Sequence, residues 1–281
     1  MVKMSEINRI PNSSSRRRGI NKNVGKGNVG KGKLKAGIFA FACCEGCQLQ
    51  ILDLWDRLVK VLDFVDIEYF KLAQQDNAIR DMDIAIVEGA IATKQEAKKL
   101  NEIRKKSRFL IAIGECAASG GLPAMRTVNT GNFERPKNLL RRTTGIERHV
   151  KVDYRLRGCP IDRGEFLRLI IGLSVGNIPQ EINEPVCMEC NNREIECLML
   201  KGEPCMGPVT CAGCDALCPS QGAVCEGCRG LMDDSGIRQF RKRLVDIGIS
   251  KKKIKNMIER FGSDHVNDIE EGNRKGGARD V

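Results

Sequence analysis

The sequence predicts an α/β domain around a parallel β-sheet, followed by a smaller cysteine-rich domain. Two features of the 281-residue chain predict this division. In the first part, short apolar stretches alternate with segments of helical composition, as in domains whose parallel strands are buried on both faces. After Pro179 the periodicity is lost, and nine of the fourteen cysteines lie within residues 187–228.

The predicted elements alternate along the chain as such a domain requires. Short apolar runs predict four strands, at residues 36–42, 67–72, 83–87 and 109–113. Apolar residues at helical spacing, or a composition rich in Ala, Leu, Glu and Lys, predict helices at residues 49–62, 94–106, 165–175, 238–245 and 252–261. Residues 151–157 form a further segment that leads to Gly158 and Cys159.

The excess of positive charge lies at the two ends of the chain. The net charge is +11, of which residues 1–35 contribute +9, residues 36–232 contribute −1 and residues 233–281 contribute +3. We predict a disordered basic extension over residues 1–35, a solubilising tail rather than a nucleic-acid arm, and a charged, partly helical extension over residues 233–281. No apolar run approaches the roughly 20 residues of a membrane span. Arg16–Arg18 lack the apolar segment of an export signal, so we expect a cytoplasmic location.

Four cysteines are predicted to meet at one edge of the sheet. Cys44 and Cys47 follow the first strand, Cys116 follows the fourth, and Cys159 follows the segment at residues 151–157. Sheets of this kind bind ligands at the carboxyl ends of their strands. Four thiolates there could hold a [4Fe–4S] cluster or a structural zinc ion. The glycines that would let backbone amides approach the sulfurs are Gly46, Gly114, Gly120, Gly121 and Gly158.

Eight further cysteines fall into two groups of four. The groups are Cys187, Cys190, Cys197 and Cys205, and then Cys214, Cys218, Cys225 and Cys228. Three four-thiol sites in one chain favour a series of iron–sulfur clusters that transfer electrons, although paired C-x2-C motifs leave structural zinc open. Cys43 and Cys211 are left over. His149 and His265 belong to no metal-binding spacing, and we expect surface or packing roles for both.

Three motifs, taken together, are specific enough to indicate a family. They are Cys44-Glu45-Gly46-Cys47, Gly114-Glu115-Cys116-Ala117-Ala118-x-Gly120-Gly121 and Gly158-Cys159-Pro160. The set resembles the small subunit of [NiFe]-hydrogenases, which shares a domain with the 20-kDa subunit of NADH:quinone oxidoreductase. Residues 202–219 are similar to the cytoplasmic branch of that family, which includes the F420-non-reducing enzymes and the sulfhydrogenase delta subunit. The resemblance covers approximately residues 36–230.

The resemblance implies a flavodoxin-like domain over residues 36–180 with a proximal [4Fe–4S] cluster, and an iron–sulfur domain over residues 181–232 with a medial and a distal cluster. By the family pattern, Cys44, Cys47, Cys116 and Cys159 hold the proximal cluster, Cys214, Cys218, Cys225 and Cys228 the medial one, and Cys187, Cys190, Cys197 and Cys205 the distal one. A partner large subunit would contain the nickel–iron centre. This chain would relay electrons between that centre and an acceptor protein, with no catalytic residue of its own and no activity alone.

Three positions depart from the family pattern. Cys211 stands where the cytoplasmic branch often has a basic residue, and Ile161 stands where many relatives have a second proline. Cys43 and Cys44 form a tandem pair, as in the quinone-reductase subunit, and we assign Cys44 and leave Cys43 spare. Two alternative functions stay open: an iron–sulfur relay in a quinone- or disulfide-reductase complex without nickel, and a zinc-containing module whose basic tail binds nucleic acid.

Overall fold

A five-stranded parallel sheet forms the centre of the fold in the computed structural model of the chain. The structure describes residues 33–54, 59, 62–70, 78–125, 137–233 and 235–270, with side chains up to residue 264. The strands in this part of the chain are β1 (Leu34–Ala40), β2 (Val65–Phe70), β3 (Met82–Glu88), β4 (Ile91–Thr93), β5 (Ser107–Ile113), β6 (Leu139–Thr144) and β7 (Tyr154–Leu156). The sheet has the order β2-β1-β3-β5-β7 with every neighbouring pair parallel, which is the flavodoxin-like arrangement. Strands β4 and β6 pair antiparallel in a separate small sheet.

Helices follow the strands and continue beyond the last of them. They are α1 (Gly46–Leu52), α2 (Lys94–Lys106), α3 (Gly114–Ser119), α4 (Gly121–Met125), α5 (Arg163–Ser174), α6 (Val186–Asn192), α7 (Leu217–Ser220), α8 (Ile237–Asp246) and α9 (Lys251–Glu270). A capping box starts α2: the Thr93 hydroxyl accepts from the backbone N–H of Glu96 at 3.1 Å, and the Glu96 carboxylate accepts from the N–H of Thr93 at 2.8 Å. The backbone of α9 is non-helical at Gly262.

Two apolar cores cover the two faces of the sheet. Ile111 of β5 packs in the core that contains α1 and α5 residues such as Ile51 and Leu169. Its neighbour Leu110 packs in the other core, with Leu100 of α2. Successive strand residues thus enter opposite cores, which explains why the strands of this sheet are continuously apolar.

A third apolar core joins the cysteine-rich segment to the C-terminal helices. Its buried members are Val186, Cys205, Met206, Val209, Ala216, Cys225, Leu231, Phe240, Leu244, Ile254 and Ile258. Helix α9 also bonds to the sheet-containing part, because the Ser119 hydroxyl donates to the Phe261 carbonyl at 3.0 Å and the Gly145 N–H donates to Asp264 Oδ2 at 2.8 Å. Helices α8 and α9 therefore supply the apolar partners that the cysteine-rich segment lacks in its own sequence.

The predicted strands and most predicted helices are present, with three differences. The helix predicted over residues 49–62 starts earlier, and α1 ends at Leu52, while residues 55–58, 60 and 61 lie outside the described part. The helix predicted over residues 252–261 extends to Glu270. The pair β4 and β6 is not predicted, because β4 has only three residues and β6 carries two arginines and two threonines.

Parts of the two predicted extensions cannot be compared with the structure. Residues 1–32 of the basic extension, the tail from residue 271 and the side chain of His265 lie outside the described residues. Among the residues that are described, no helix is both long enough and apolar enough to cross a membrane.

Candidate metal centres

The loops that follow β1, β5 and β7 carry the first four predicted ligands. Because these strands are parallel members of one sheet, their carboxyl ends lie at the same edge. Cys44 and Cys47 follow β1, Cys116 lies in α3 directly after β5, and Cys159 comes after β7. The Glu115 N–H donates to the Gly158 carbonyl at 3.0 Å and so joins the second loop to the third.

Glu88, at the end of β3, fixes the Cys44–Cys47 loop. Glu45 precedes α1 in the left-handed region (φ 61°), and its side chain makes no capping hydrogen bond. The Glu88 carboxylate accepts instead from the backbone N–H of Cys47 at 3.1 Å and from that of Gln48 at 3.2 Å. A buried carboxylate from the neighbouring strand thus satisfies the first turn of the helix that bears Cys47.

The thiols of this first group are close enough to influence one another. Burial, followed by the thiols of Cys159, Cys43 and Cys44, raises the pKa of Cys116 to about 12. Burial also raises the pKa of Cys47, with additional contributions from Glu88 and Cys116. The structure therefore brings the four predicted proximal residues together, and it brings the unassigned Cys43 into the same neighbourhood.

Glycines leave space around these sulfurs. A Cβ atom on Gly114 would lie 2.5 Å from the Cys47 sulfur, and one on Gly46 would lie 3.2 Å from the Cys44 sulfur. Gly114 also has φ +76°, a backbone conformation that residues with a side chain rarely adopt. Any larger residue at position 114 would occupy the space next to Cys47.

The predicted distal residues also lie together. Burial raises the pKa of Cys187 to about 12, and the thiols of Cys205, Cys190 and Cys197 contribute in the same direction. Gly207 adjoins this group, since a Cβ atom there would lie 3.3 Å from the Cys187 sulfur and 3.5 Å from the Cys205 sulfur.

The predicted medial residues are neighbours of both other groups. Burial, followed by the thiols of Cys214, Cys218 and Cys159, raises the pKa of Cys228 to about 11. The backbone N–H of Cys225 donates to the Cys205 sulfur at 3.3 Å. The medial group thus contacts the distal group through Cys225 and Cys205, and its Cys228 is close enough to Cys159 of the proximal group for the two thiols to interact electrostatically.

Glu189 connects the distal and medial groups. Its carboxylate accepts from the backbone N–H of Gly213 at 2.7 Å and from that of Ala216 at 3.1 Å. Asp215 and Ala216 both have positive φ, so the backbone beside Cys214 adopts a conformation that needs support. The roles of Glu88 and Glu189 are not predicted from the sequence, where the position of Glu189 inside the Cys187–Cys190 motif is the one local signal for either.

Two buried ion pairs lie beside the cysteine groups. Arg157 Nη1 lies 3.2 Å from Glu115 Oε1, and Arg229 Nη2 lies 2.9 Å from Glu165 Oε1. Cys211 is fully buried near the first pair, and burial raises its pKa, opposed first by Arg157. Its electrostatic neighbours are arginines and carboxylates rather than the twelve predicted ligands.

The residues of the predicted proximal and distal groups fit thiolate-bound iron–sulfur clusters. The donors are thiols in groups of four, and glycines leave room beside the sulfurs of Cys44, Cys47, Cys187 and Cys205. In the part of the chain that the structure describes, no three His, Cys, Asp or Glu side chains form a group that could hold a single metal ion.

Comparison with known proteins places the chain in a family. A family model described as "NADH ubiquinone oxidoreductase, 20 Kd subunit" matches residues 44–173, a range that includes the four predicted proximal cysteines. The delta subunit of sulfhydrogenase 2 from Pyrococcus furiosus is 37% identical over 223 residues, covering 76% of this chain and 93% of that protein. The chain belongs to this family, in its hydrogenase branch.

Other hydrogenase subunits extend the comparison. A vhu subunit of the F420-non-reducing hydrogenase of Methanocaldococcus jannaschii is 32% identical over 240 residues, covering 72% of this chain and 83% of that protein. A [NiFeSe]-hydrogenase structure from Desulfomicrobium baculatum shares the fold, with a TM-score of 0.50 at 18% identity, covering 73% of this chain and 98% of that one. The hydrogenase subunit described here is therefore part of an oxidoreductase.

Proposed function

We propose that this hydrogenase subunit relays electrons through three [4Fe–4S] clusters. Residues 36–180 would carry the proximal cluster, and residues 181–232 the medial and distal ones, with the ligand sets that the family pattern assigns. One observation supports this most directly: the predicted medial group has a cysteine neighbour in each of the other groups, since the Cys225 N–H donates to the Cys205 sulfur and Cys159 is an electrostatic neighbour of Cys228. A series of neighbouring thiol groups is what stepwise electron transfer requires.

The protein's own part in this function is to hold and tune the ligands. Bound clusters of this type supply one-electron redox chemistry at potentials set by their surroundings. Burial raises the pKa of Cys116, Cys187 and Cys228, so iron binding must displace protons from these thiols. Glu88 and Glu189 orient the backbone beside Cys47 and Cys214, and the buried Arg229 places positive charge near Cys214 and Cys228.

The proposed relay needs a donor and an acceptor outside this chain. We propose a large subunit that contains a nickel–iron centre at the proximal end and an electron-acceptor protein at the distal end, in a cytoplasmic complex. No residue of this chain would make or break a bond in hydrogen.

The metal content of the native complex tests the proposal. The complex is purified without oxygen through this chain, and iron and nickel are counted per copy. Three clusters predict about twelve irons, accompanied by about one nickel from the large subunit. Iron near four per copy would contradict the three-cluster assignment, and zinc in place of iron would overturn the relay altogether.

A second candidate function is an iron–sulfur relay in a quinone- or disulfide-reductase complex. The match to a quinone-oxidoreductase subunit family and the position of Cys43 next to the proximal group favour it. The same metal count separates the two candidates, since about twelve irons without nickel would support this second one.

A further inference from the structure

Helices α8 and α9 present a strongly basic surface. Residues 237–260, here called the basic helical pair, contain nine Lys and Arg against two Asp and Glu. The body of the chain is nearly neutral by comparison, since residues 36–232 have a net charge of −1. The exposed cations of the pair are Arg238, Lys242, Arg243, Lys251, Lys252 and Lys253. Neither Lys252 nor Lys253 forms an ion pair with any described residue.

The inner side of the basic helical pair lies against the predicted cluster ligands. Leu244 of α8 and Ile258 of α9 share a buried core with Cys205 and Cys225. An α-helix with its side chains is about 10–12 Å across. A molecule bound to the outer side would therefore lie within about one helix diameter of a distal and a medial ligand.

A groove of about 510 Å³ opens between α9 and the loops that carry these two cysteines. Lys252, Lys253 and Arg260 line one side, and Pro204, Cys225 and Glu226 line the other. Arg260 pairs with Glu226 across the groove, and Lys252, Lys253 and Glu203 are the other charged residues of its lining, so the groove has a net charge of +1. Solvent, and the edge of a bound partner, can thus approach the Cys225 loop beside a net positive charge.

We propose that the basic helical pair is the docking surface for an acidic electron-carrier protein. This inference rests on the relay function proposed above and adds the place and charge of the partner. Complementary charge steers a diffusing protein to one surface and raises its association rate, while the contact itself stays short-lived. A nucleic-acid partner fits less well, because the pair has no exposed aromatic residue among those described, and Phe240 is buried.

Charge reversal in the intact hydrogenase complex tests the docking surface. The test variant is Lys252→Glu with Lys253→Glu, and the matched control is Lys98→Glu with Lys105→Glu on the exposed side of α2. Hydrogen supplies two electrons and two protons, so each hydrogen consumed reduces two one-electron carriers. The carriers are an acidic [2Fe–2S] ferredoxin, a basic cytochrome c and methyl viologen.

We expect the test variant to reduce the acidic ferredoxin at least about tenfold more slowly at low ionic strength, and the difference to shrink at 0.5 M salt. Reduction of methyl viologen and of cytochrome c should not fall, and the control variant should behave as wild type. Equal ferredoxin rates in the two variants would refute the docking surface. The docking surface would also be refuted if the wild type and the control variant bound a DNA duplex and the test variant did not. Absence of cluster signals in electron paramagnetic resonance of the wild type would instead refute the relay itself.

Discussion

Removing Arg157 should destabilise the protein by several kcal/mol because it leaves Glu115 buried without its counter-ion. Arg157 is 6% exposed and Glu115 is 1% exposed, and their charged atoms lie 3.2 Å apart. Glu115 Oε2 has no hydrogen-bond partner among the described residues. At an effective dielectric constant of about 20, charges at this distance attract by about 5 kcal/mol. Loss of one partner from such a pair typically costs about 3–5 kcal/mol.

The chain contains an exposed pair that serves as a control. Arg163 Nη2 lies 2.6 Å from Asp53 Oδ2, but these side chains are 45% and 40% exposed. We expect Arg163→Met to cost less than about 1 kcal/mol, because water screens the charge that is left. Arg157→Met combined with Glu115→Gln should recover much of the loss, since no buried charge then remains alone.

Anaerobic urea unfolding, followed by circular dichroism, measures these free energies. The expected order of stability is Arg163→Met first, then the Arg157→Met and Glu115→Gln double variant, and Arg157→Met alone last. A loss for Arg157→Met no larger than that for Arg163→Met would contradict this prediction, because burial would then not increase the free-energy cost of an unpaired charge.

Three further predictions concern other parts of the chain. Cys159→Ala should lower the iron content from about twelve to about eight per chain, whereas Cys211→Ala should leave it unchanged, both by iron analysis. Leu244→Ala, at a fully buried position, should cost about 2–5 kcal/mol in denaturant unfolding, and a loss below about 1 kcal/mol would contradict the third core. Burial lowers the pKa of His149, so its neutral form stabilises the fold above pH 6.5 and that contribution is lost as pH falls. His149→Gln should make the free energy of unfolding depend less steeply on pH between about pH 7.5 and 5. An unchanged pH dependence would contradict this prediction.

Local signals account for the elements that the sequence predicts well. The bounds of α2 are those predicted from its composition, residues 94–106, and a capping box formed by Thr93 and Glu96 fixes its first turn. The strands of the parallel sheet are predicted because burial on both faces makes each one a continuous apolar run. The pairs Cys44 and Cys47, Cys187 and Cys190, and Cys225 and Cys228 follow from short spacings, whereas Cys116 and Cys159 are predicted to join the first pair because parallel strands end at one edge of the sheet.

Contacts between distant residues account for what the sequence does not predict. Glu88 accepts a hydrogen bond from the backbone of Cys47, which lies 41 residues earlier in the chain, and Glu189 of α6 accepts one from Gly213, next to Cys214. Sequence spacing therefore reveals neither partner. The third core is likewise hidden, because Leu244 and Ile258 look like the apolar side of ordinary surface helices until Cys205 and Cys225 are found against them. Because α8 and α9 are rich in charged residues, their composition does not indicate that their apolar side chains pack against the cysteine-rich segment.

The order in which the chain is synthesised gives the third core a consequence for maturation. Ribosomes add about 5–20 residues per second, and earlier domains fold first. The sheet and its first four cysteines can therefore form while the segment that ends at Cys228 still lacks Leu244 and Ile258. For about 2–6 s the nascent chain exposes apolar surface and free thiols together. Iron delivered during this interval would encounter a folded proximal site, while the medial and distal sites are not yet folded. The proximal site, at the sheet edge, should therefore be the first to bind a cluster.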